Sequence, residues 1–279
     1  MHMKCFSVVL TFLLPFFLSG CFFSEEAESE RARLQNAIGE YIYRRHNEYL
    51  FKPEPATQSA PILYSWENNS FHSITKEYFR CKGSSLNPPH VVQRKQETLR
   101  FFDCGGAERH SLPLHNDKEF VYPILINLLN YLQHKSGKKI VITSGHRCPQ
   151  HNIYVDDSIE NQSSKHMIGA EVSFYIQGWE NKPEEIIKLI HHYYLETPKY
   201  KGLKDFQEFS RYEKQDTNVS TLPWMNKEVF VKLFKKKEGR NFDNRHPYPY
   251  ISIQVRYDME TQTKVFYSWE KAHRNFLRQ

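Results

Sequence analysis

A strongly apolar helical pattern, followed at once by a short β-branched run, constrains the fold of this chain more than any other feature. Apolar residues recur every three or four positions at Phe120, Ile124, Leu125, Leu128, Leu129 and Leu132. This spacing predicts a helix that Asn116 or Asp117 caps and that Ser136 and Gly137 end. Residues 139–143 are rich in Ile, Val and Thr, and they predict a short strand.

The same change of period continues through the second half of the chain. Residues 171–176 predict another strand, and Pro183 stands at the favoured first position of a helix over residues 184–195. Residues 250–257 alternate in polarity, and we expect them to pair with residues 264–269 as a hairpin. Strands that alternate with helices and end in a hairpin predict an α+β fold.

The composition excludes several classes of protein. Of 279 residues, 39% are hydrophobic and 15% aromatic, which excludes collagen-like, low-complexity and wholly disordered chains. The length suits one large domain or two small ones. There are 38 Lys and Arg against 32 Asp and Glu, so the two signs nearly balance, and we do not expect dedicated nucleic-acid binding.

Residues 1–20 have the pattern of a secretory signal peptide. One basic residue, Lys4, precedes an apolar stretch over residues 6–18 that is too short to span a bilayer comfortably. The sequence Leu-Ser-Gly-Cys that ends at Cys21 resembles the bacterial lipobox, in which the Cys receives diacylglycerol and becomes the mature N-terminus. The resemblance implies a lipoprotein of the bacterial cell envelope, anchored in the lipid bilayer through Cys21 and facing the periplasm at the outer membrane. The alternative is an uncleaved anchor helix with an incidental Cys.

Export gives the remaining cysteines a redox context. Cys81 and Cys104 are 23 positions apart and could close a disulfide in an oxidising compartment, which would leave Cys148 unpaired. Other pairings, or reduced buried thiols, stay open because sequence alone does not fix connectivity. A Cys-based zinc site is less favoured, since no CxxC spacing occurs.

Composition and periodicity divide the chain into four parts. Residues 1–20 form the signal peptide, and residues 21–61 form a lipidated tether that contains a helical pattern at residues 31–50. Residues 62–111 mix aromatics with Asn, Ser, Gly and Pro, which predicts an N-terminal extension of short strands and loops. Residues 112–279 hold the periodic elements and form the main domain.

Two motifs in the main domain carry the chemical signal. The first, T-S-G-H-R-C-P from Thr143 to Pro149, is followed by Asn152, and the second reads S-K-H-M-I-G over residues 164–169. They resemble the zinc-dependent D-alanyl-D-alanine carboxypeptidases, the Hedgehog-like metallopeptidases that trim peptidoglycan stem peptides. The family pattern is T-S-G-x-R-S-P-x-x-N, then S-x-H-x-x-G-x-A-x-D, then a strand reading H-V-D-V-R. The resemblance implies an antiparallel sheet flanked by helices over residues 112–279.

The resemblance is strong at the residues that shape the motifs and weak at those that bind zinc and carry out catalysis. His166 falls on the family's first zinc ligand and Arg147 on the Arg beside its substrate. The second ligand, an Asp, falls on Ser173, and we expect Glu171, two positions earlier, to point to the other face of the strand. On the last strand, Ser252 takes the place of the third ligand and Gln254 the place of the acid.

These substitutions predict the loss of zinc peptidase chemistry. Catalytic zinc needs three N or O ligands and an open position for water, and a Ser hydroxyl is a poor ligand. The amide of Gln254 cannot act as a general base, so we assign no catalytic residue and expect no cofactor. Zinc stays possible if other groups rebuild a site around His166. The candidates are His146, His151 or His246 through nitrogen and, on a bulged strand, Glu171 through oxygen.

The sequence therefore predicts a pseudoenzyme that binds a peptidoglycan stem peptide or an envelope partner without turning it over. The binding candidates are Arg147, Ser144, Ser173, Ser252, Gln254 and Arg256. Arg147 and Arg256 either bind ligand or only brace the sheet. One alternative is an active metallopeptidase with a rearranged zinc site. Another is a structural protein that docks a partner through residues 31–110.

Overall fold

The computed structural model describes residues 71–94, 97–158, 160–214 and 216–278. They belong to one compact unit that spans Leu63–Gln279, and the boundary expected between residues 111 and 112 falls inside this unit. The predicted signal peptide, Cys21 and the helical pattern at residues 31–50 lie outside the described residues. Among the described residues, no helix has the length and apolarity that crossing a membrane requires.

The helices and strands are numbered in chain order. The helices are α1 (Pro123–Ser136), α2 (Pro149–Val155), α3 (Pro183–Glu196), α4 (Lys204–Gln207) and α5 (Trp269–Arg274). Short 3₁₀ helices lie at Lys76–Phe79, Gly106–Glu108, Glu160–Ser163, Lys165–Ile168 and Pro198–Tyr200. The first six strands are β1 (His90–Arg94), β2 (Glu97–Phe101), β3 (Leu114–His115), β4 (Lys118–Glu119), β5 (Ile140–Ser144) and β6 (Glu171–Ile176). The others are β7 (Ser210–Arg211), β8 (Trp224–Met225), β9 (Val229–Phe234), β10 (Tyr250–Val255), β11 (Tyr257–Asp258) and β12 (Thr263–Lys264).

One six-stranded sheet organises the unit. Its strand order is β5-β6-β10-β9-β8-β7, and every neighbouring pair is antiparallel. Three further antiparallel pairs, β1-β2, β3-β4 and β11-β12, stand apart from it. The predicted α+β class, with an antiparallel sheet and helices, is confirmed.

The two faces of the sheet differ in polarity because successive side chains of a strand point in opposite directions. One face presents Val172, Phe174, Ile251 and Ile253, which are all buried in the main core. Helix α1 packs against this face and also contacts α3. The opposite face carries a row of polar side chains, formed where register pairs Ser173 with Ser252 and Ser252 with Lys232.

Helix α1 starts later than the sequence predicts. Asn116 and Asp117 have φ values of 50° and 59° and form the turn between β3 and β4, so neither caps a helix. Their short polar side chains tolerate the left-handed conformation that such a tight hairpin turn needs. The helix begins instead at Pro123, and Gly137 ends it with φ 60°, as the sequence predicts.

The pairing predicted for the last long strand is wrong. β10 lies between β6 and β9, and its predicted partner, residues 264–269, instead supplies the end of β12 and the start of α5. A hairpin does form across residues 258–263, but only two residues of β11 pair with two of β12. Alternation identifies a strand and its buried face, but it does not identify the neighbour, which the sheet topology decides.

Candidate functional site

The polar face of the sheet forms the floor of a cleft of about 250 Å³. Four of the predicted binding residues line it together: Arg147, Ser173, Ser252 and Gln254. His166 and Glu171 line it as well. The structure thus brings together side chains that are up to 107 positions apart in the sequence, between Arg147 and Gln254.

Two hydrogen bonds fix the ring of His166 in the cleft. Its Nδ1 lies 2.6 Å from the carbonyl oxygen of Gly145, which can only accept a hydrogen bond, so Nδ1 carries the proton. Nε2 then accepts from the hydroxyl of Ser173 at 3.4 Å. Burial lowers the pKa of His166 to about 4, so the ring is neutral at pH 7.

Glu171 points into the same cleft, and the expectation that it faces away is wrong. Residues two apart on a strand share a face, which places Glu171 beside Ser173. Its Oε1 accepts a hydrogen bond of 2.6 Å from Ser252 Oγ and lies 3.7 Å from His166 Nε2. Burial acts to raise the pKa of Glu171, but His166, Lys232 and the Ser252 hydrogen bond outweigh it and lower the pKa to about 2. Glu171 is the buried anion of the cleft.

Arg147 is held at the stem of its guanidinium group. Nε donates to Ser144 Oγ at 2.7 Å and to Asp243 Oδ2 at 3.0 Å, and Nη1 makes a longer contact of 3.4 Å with Asn161. Arg147 and Asp243 are almost fully buried, at 3% and 4% side-chain exposure. The predicted candidate Ser144 therefore orients Arg147 from beneath the cleft.

A chain of buried charges continues from Arg147 away from the cleft. Asp243 Oδ1 lies 3.1 Å from His151 Nε2, and His151 Nδ1 lies 2.6 Å from Asp103 Oδ1. Burial opposes a charge on His151, but the two carboxylates outweigh it and raise its pKa to about 9. The Arg147 charge also holds the pKa of Asp243 well below its usual range, against the effect of burial. The chain therefore consists of alternating cations and anions.

The residues lining the cleft do not include Arg256, a predicted binding residue, but they do include Lys232. Arg256 lies outside the cleft, and its Nη1 donates to the backbone carbonyl of Asn226, which is the bracing role kept open for it. Lys232, which is not among the predicted binding residues, lies on β9 and lines the cleft. The alternating run Val229–Phe234 is the signal that could have identified Lys232, because its apolar residues mark a strand with the lysine on the other face.

Of the groups proposed to rebuild a zinc site, Glu171 lies beside His166, but the three histidines do not. His151 has both ring nitrogens engaged by carboxylates, and His246 packs 4.9 Å from the ring of Tyr175. His146 lies 5.7 Å from the ring of His110, and burial lowers its pKa to about 3. Among the described residues, no third His, Cys, Asp or Glu places a ligand atom within 4.8 Å of both His166 and Glu171.

A set of potential metal ligands does form behind the cleft. Cys81, Cys104, His110 and Cys148, which we call the thiol cluster, are all buried and have their ligand atoms within 4.8 Å of one another. The three cysteines are free, and the Sγ atoms of Cys81 and Cys104 are 3.7 Å apart, whereas a disulfide measures about 2.05 Å. The Cys81–Cys104 disulfide considered in the sequence analysis is therefore not formed in this structure. The reduced buried thiols, the alternative left open, are present instead.

The donor atoms of the thiol cluster, three sulfurs and one imidazole nitrogen, are of the kinds that bind a metal ion. Hydrogen bonds from Cys148 and Cys81 act to lower the pKa of the Cys104 thiol, and the thiolate is the form of cysteine that binds metal. Burial acts to lower the pKa of His110, but its contacts with Cys104 and Cys148 raise it to about 10. Sequence reasoning missed this group because its members are 6 to 67 positions apart along the chain. No local spacing signals their meeting.

Comparison with known proteins adds no relative. No family model matches the chain, and neither a curated protein nor a solved structure matches it.

Proposed function

We propose that this chain is a lipid-anchored protein of the bacterial cell envelope whose cleft binds, without hydrolysis, a short peptide ending in a carboxylate, such as a peptidoglycan stem peptide. The observation that carries this proposal is the convergence of Arg147 with Ser173, Ser252 and Gln254 in one cleft. A guanidinium group binds a carboxylate through charge-assisted hydrogen bonds, and neutral hydroxyl and amide groups can bind a peptide backbone.

The size and charge of the cleft suit such a ligand. About 250 Å³ lies just below the usual range of volumes for small-molecule sites, which favours a short segment over a long chain. Arg147, Lys165 and Lys232 line the cleft against Glu171 and Asp156, a balance of one positive charge. Because Nε of Arg147 makes the two short internal contacts, its Nη groups are the part that a ligand carboxylate would meet.

The position of the motif residues supports descent from the carboxypeptidase family. His166 lies 3.4 Å from Ser173, and Ser173 stands opposite Ser252 in the register of β6 and β10. The three positions that hold zinc in the family are thus neighbours in this chain. Gln254, at the family's acid position, pairs in register with Glu171.

The same positions argue against hydrolysis. Two of them are hydroxyl groups that are poor zinc ligands, and Gln254 has no titratable group with which to accept a proton from water. Among the described residues, Glu171 is the carboxylate in ion-pair contact with His166, and Ser252 already donates a hydrogen bond to it. A binding role needs none of the lost groups.

The test is equilibrium binding of the full chain, purified in detergent, to a synthetic stem peptide ending in D-Ala-D-Ala. We expect binding that weakens about ten-fold or more when the C-terminal carboxylate is amidated or Arg147→Ala is introduced. Arg274→Ala removes an exposed arginine that pairs with Glu270 and does not line the cleft, and it should leave the affinity unchanged. Thermal unfolding of both variants controls for the fold, and Arg147→Lys separates the loss of the planar fork from the loss of charge.

Hydrolysis is measured on the same samples in the presence of zinc. Equal affinity for the acid and the amide would overturn the carboxylate role of Arg147. Release of D-Ala that a chelator abolishes would overturn the non-catalytic role and favour an active zinc metallopeptidase.

A further inference from the structure

We propose that Cys81, Cys104, His110 and Cys148 bind one structural zinc ion that fixes the N-terminal extension to the sheet. This site is separate from the cleft, and it does not depend on the proposed peptide binding. It uses none of the positions that the carboxypeptidase resemblance assigns to zinc.

Two distances between donor atoms of the cluster match the edges of a zinc tetrahedron. Zinc lies about 2.3 Å from thiolate sulfur and about 2.0–2.1 Å from imidazole nitrogen, so tetrahedral geometry puts two sulfurs about 3.8 Å apart and sulfur and nitrogen about 3.6 Å apart. The Sγ atoms of Cys81 and Cys104 are 3.7 Å apart, and Cys104 Sγ lies 3.6 Å from His110 Nε2. These separations are too long for covalent bonds and suit four ligands around one ion.

The surrounding hydrogen bonds orient the ligands. His110 Nδ1 lies 3.1 Å from the carbonyl oxygen of Ser111, which requires a proton on Nδ1 and directs Nε2 to the sulfurs. The backbone N–H of Gly106 donates to Cys104 Sγ at 3.3 Å, and that of His151 donates to Cys148 Sγ at 3.4 Å. Backbone donors of this kind stabilise the negative charge on a ligating thiolate.

The site is closed, which indicates a structural and not a catalytic ion. All four ligands come from protein and each is at most 6% exposed, so no position is left for a substrate or a reactive water. Phe276 packs against the three cysteines and lies 5.7 Å from the His110 ring. Three thiolates and one imidazole in tetrahedral arrangement favour zinc over the harder cations.

Close backbone packing around the sulfurs supports a built site. A Cβ atom at Gly83 would lie 2.2 Å from Cys104 Sγ, so only glycine fits there. Gly106 has φ 81°, and a Cβ atom on it would lie 2.3 Å from the carbonyl oxygen of Gly83. The two glycines let the segments that carry Cys81 and Cys104 approach each other.

The metal content of the full chain, purified in detergent without added chelator, tests the proposal. We expect about one zinc per chain. Replacement by cobalt should give the charge-transfer and intense visible bands of a tetrahedral thiolate site. Each binding thiol loses its proton to solvent, so zinc binding should also release protons. Removal of the ion should lower the Tm by about 10 °C or more.

Two histidine variants separate this site from the cleft. His110→Ala should lose the stoichiometric zinc or bind it at least ten-fold more weakly, whereas His166→Ala, which changes an equally buried ring, should keep it. Loss of zinc in His166→Ala together with its retention in His110→Ala would overturn the proposal and favour a metal in the cleft. If His110→Ala fails to fold, the cobalt spectrum of the unmodified chain still decides, because a site without thiolates gives no charge-transfer band.

Oxidation is the competing state in an oxidising compartment. Intact mass measured with and without a thiol-blocking reagent counts the free cysteines. If three thiols react with the reagent only after the zinc is removed, the result supports the zinc site. A Cys81–Cys104 disulfide in the purified protein, with no bound metal, would overturn it.

Discussion

The cleft and the thiol cluster both take residues from one short loop, residues 145–148, and they use buried polar groups in opposite ways. Gly145 and Arg147 serve the cleft, since one holds His166 and the other lines the floor. Cys148 closes the thiol cluster. The cleft holds hydroxyl, amide and charged groups beside open volume, whereas the cluster turns soft donors towards one another with no open position.

The comparison shows that buried polar side chains can serve two purposes. Polar groups that satisfy one another around a single centre contribute to stability, and polar groups that face a cavity remain available to a ligand. The chain Asp103–His151–Asp243–Arg147 connects the two, because Asp103 precedes Cys104 and Arg147 precedes Cys148. Substitutions along this chain of charges should show how far the cleft and the thiol cluster depend on each other.

The largest effect is expected from Asp243→Asn, which breaks the connection. Asp243 is the buried anion between Arg147 and His151, and its neutralisation leaves two cations facing each other. We expect a loss of about 3–5 kcal/mol in the free energy of unfolding, measured by urea denaturation. Asp205→Asn changes an exposed partner of Lys227 and should stay within about 0.5 kcal/mol. Equal effects of the two variants would show that the buried chain is not coupled to the fold.

Acid should act on the cleft through His166. Its folded pKa of about 4 lies below the ordinary 6.5, so the unfolded chain takes up the proton first as pH falls. The stability from the neutral ring is therefore complete above pH 6.5 and is lost between pH 6.5 and 4. We expect a loss of about 2.5 kcal/mol between pH 7 and 4.5, measured by urea unfolding, that is smaller in His166→Gln. The same pH dependence in the variant would contradict this assignment.

A smaller effect is expected from Gly145→Ala, which disturbs the loop over residues 145–148 that contributes to both sites. The added Cβ would lie 2.5 Å from the carbonyl oxygen of Phe79 and 2.6 Å from its Cα, and backbone atoms cannot move aside cheaply. We expect a loss of about 2 kcal/mol in chemical denaturation, together with weaker peptide binding. Gly137→Asn is the control, because its Cβ would meet nothing within 4 Å and Asn tolerates positive φ. An unchanged stability for Gly145→Ala would mean that the loop can shift.

The smallest effect is expected from Ser252→Ala, which changes only the cleft. The variant removes the 2.6 Å hydrogen bond to Glu171, so the pKa of Glu171 should rise and the stability should fall by about 1 kcal/mol. NMR titration of the carboxyl group and urea unfolding measure the two effects. Zinc content should not change, and a loss of zinc in this variant would contradict the separation of the two sites.

Local sequence patterns predicted the helices and strands whose positions depend on interactions between residues close together in the chain. The β-branched run and the first-turn prolines predicted β5, β6 and α3 to within a residue or two, because period and helix-end chemistry act over a few positions. The sequence also grouped Arg147, Ser173, Ser252 and Gln254 through the motif order. It assigned Glu171 to the wrong face, although the two-residue period of a strand would have placed it beside Ser173.

The sequence by itself determined the mixed helix and sheet content and the positions of strands β5, β6 and β10. Only the tertiary structure decided that β10 lies between β6 and β9, that Asp243 joins Arg147 to His151, and that Cys148 meets Cys81, Cys104 and His110. The physical reason is the range of the interactions. Periodicity and capping depend on neighbours a few residues away, whereas sheet order and ligand clusters depend on contacts between segments far apart in the chain, which no local spacing encodes.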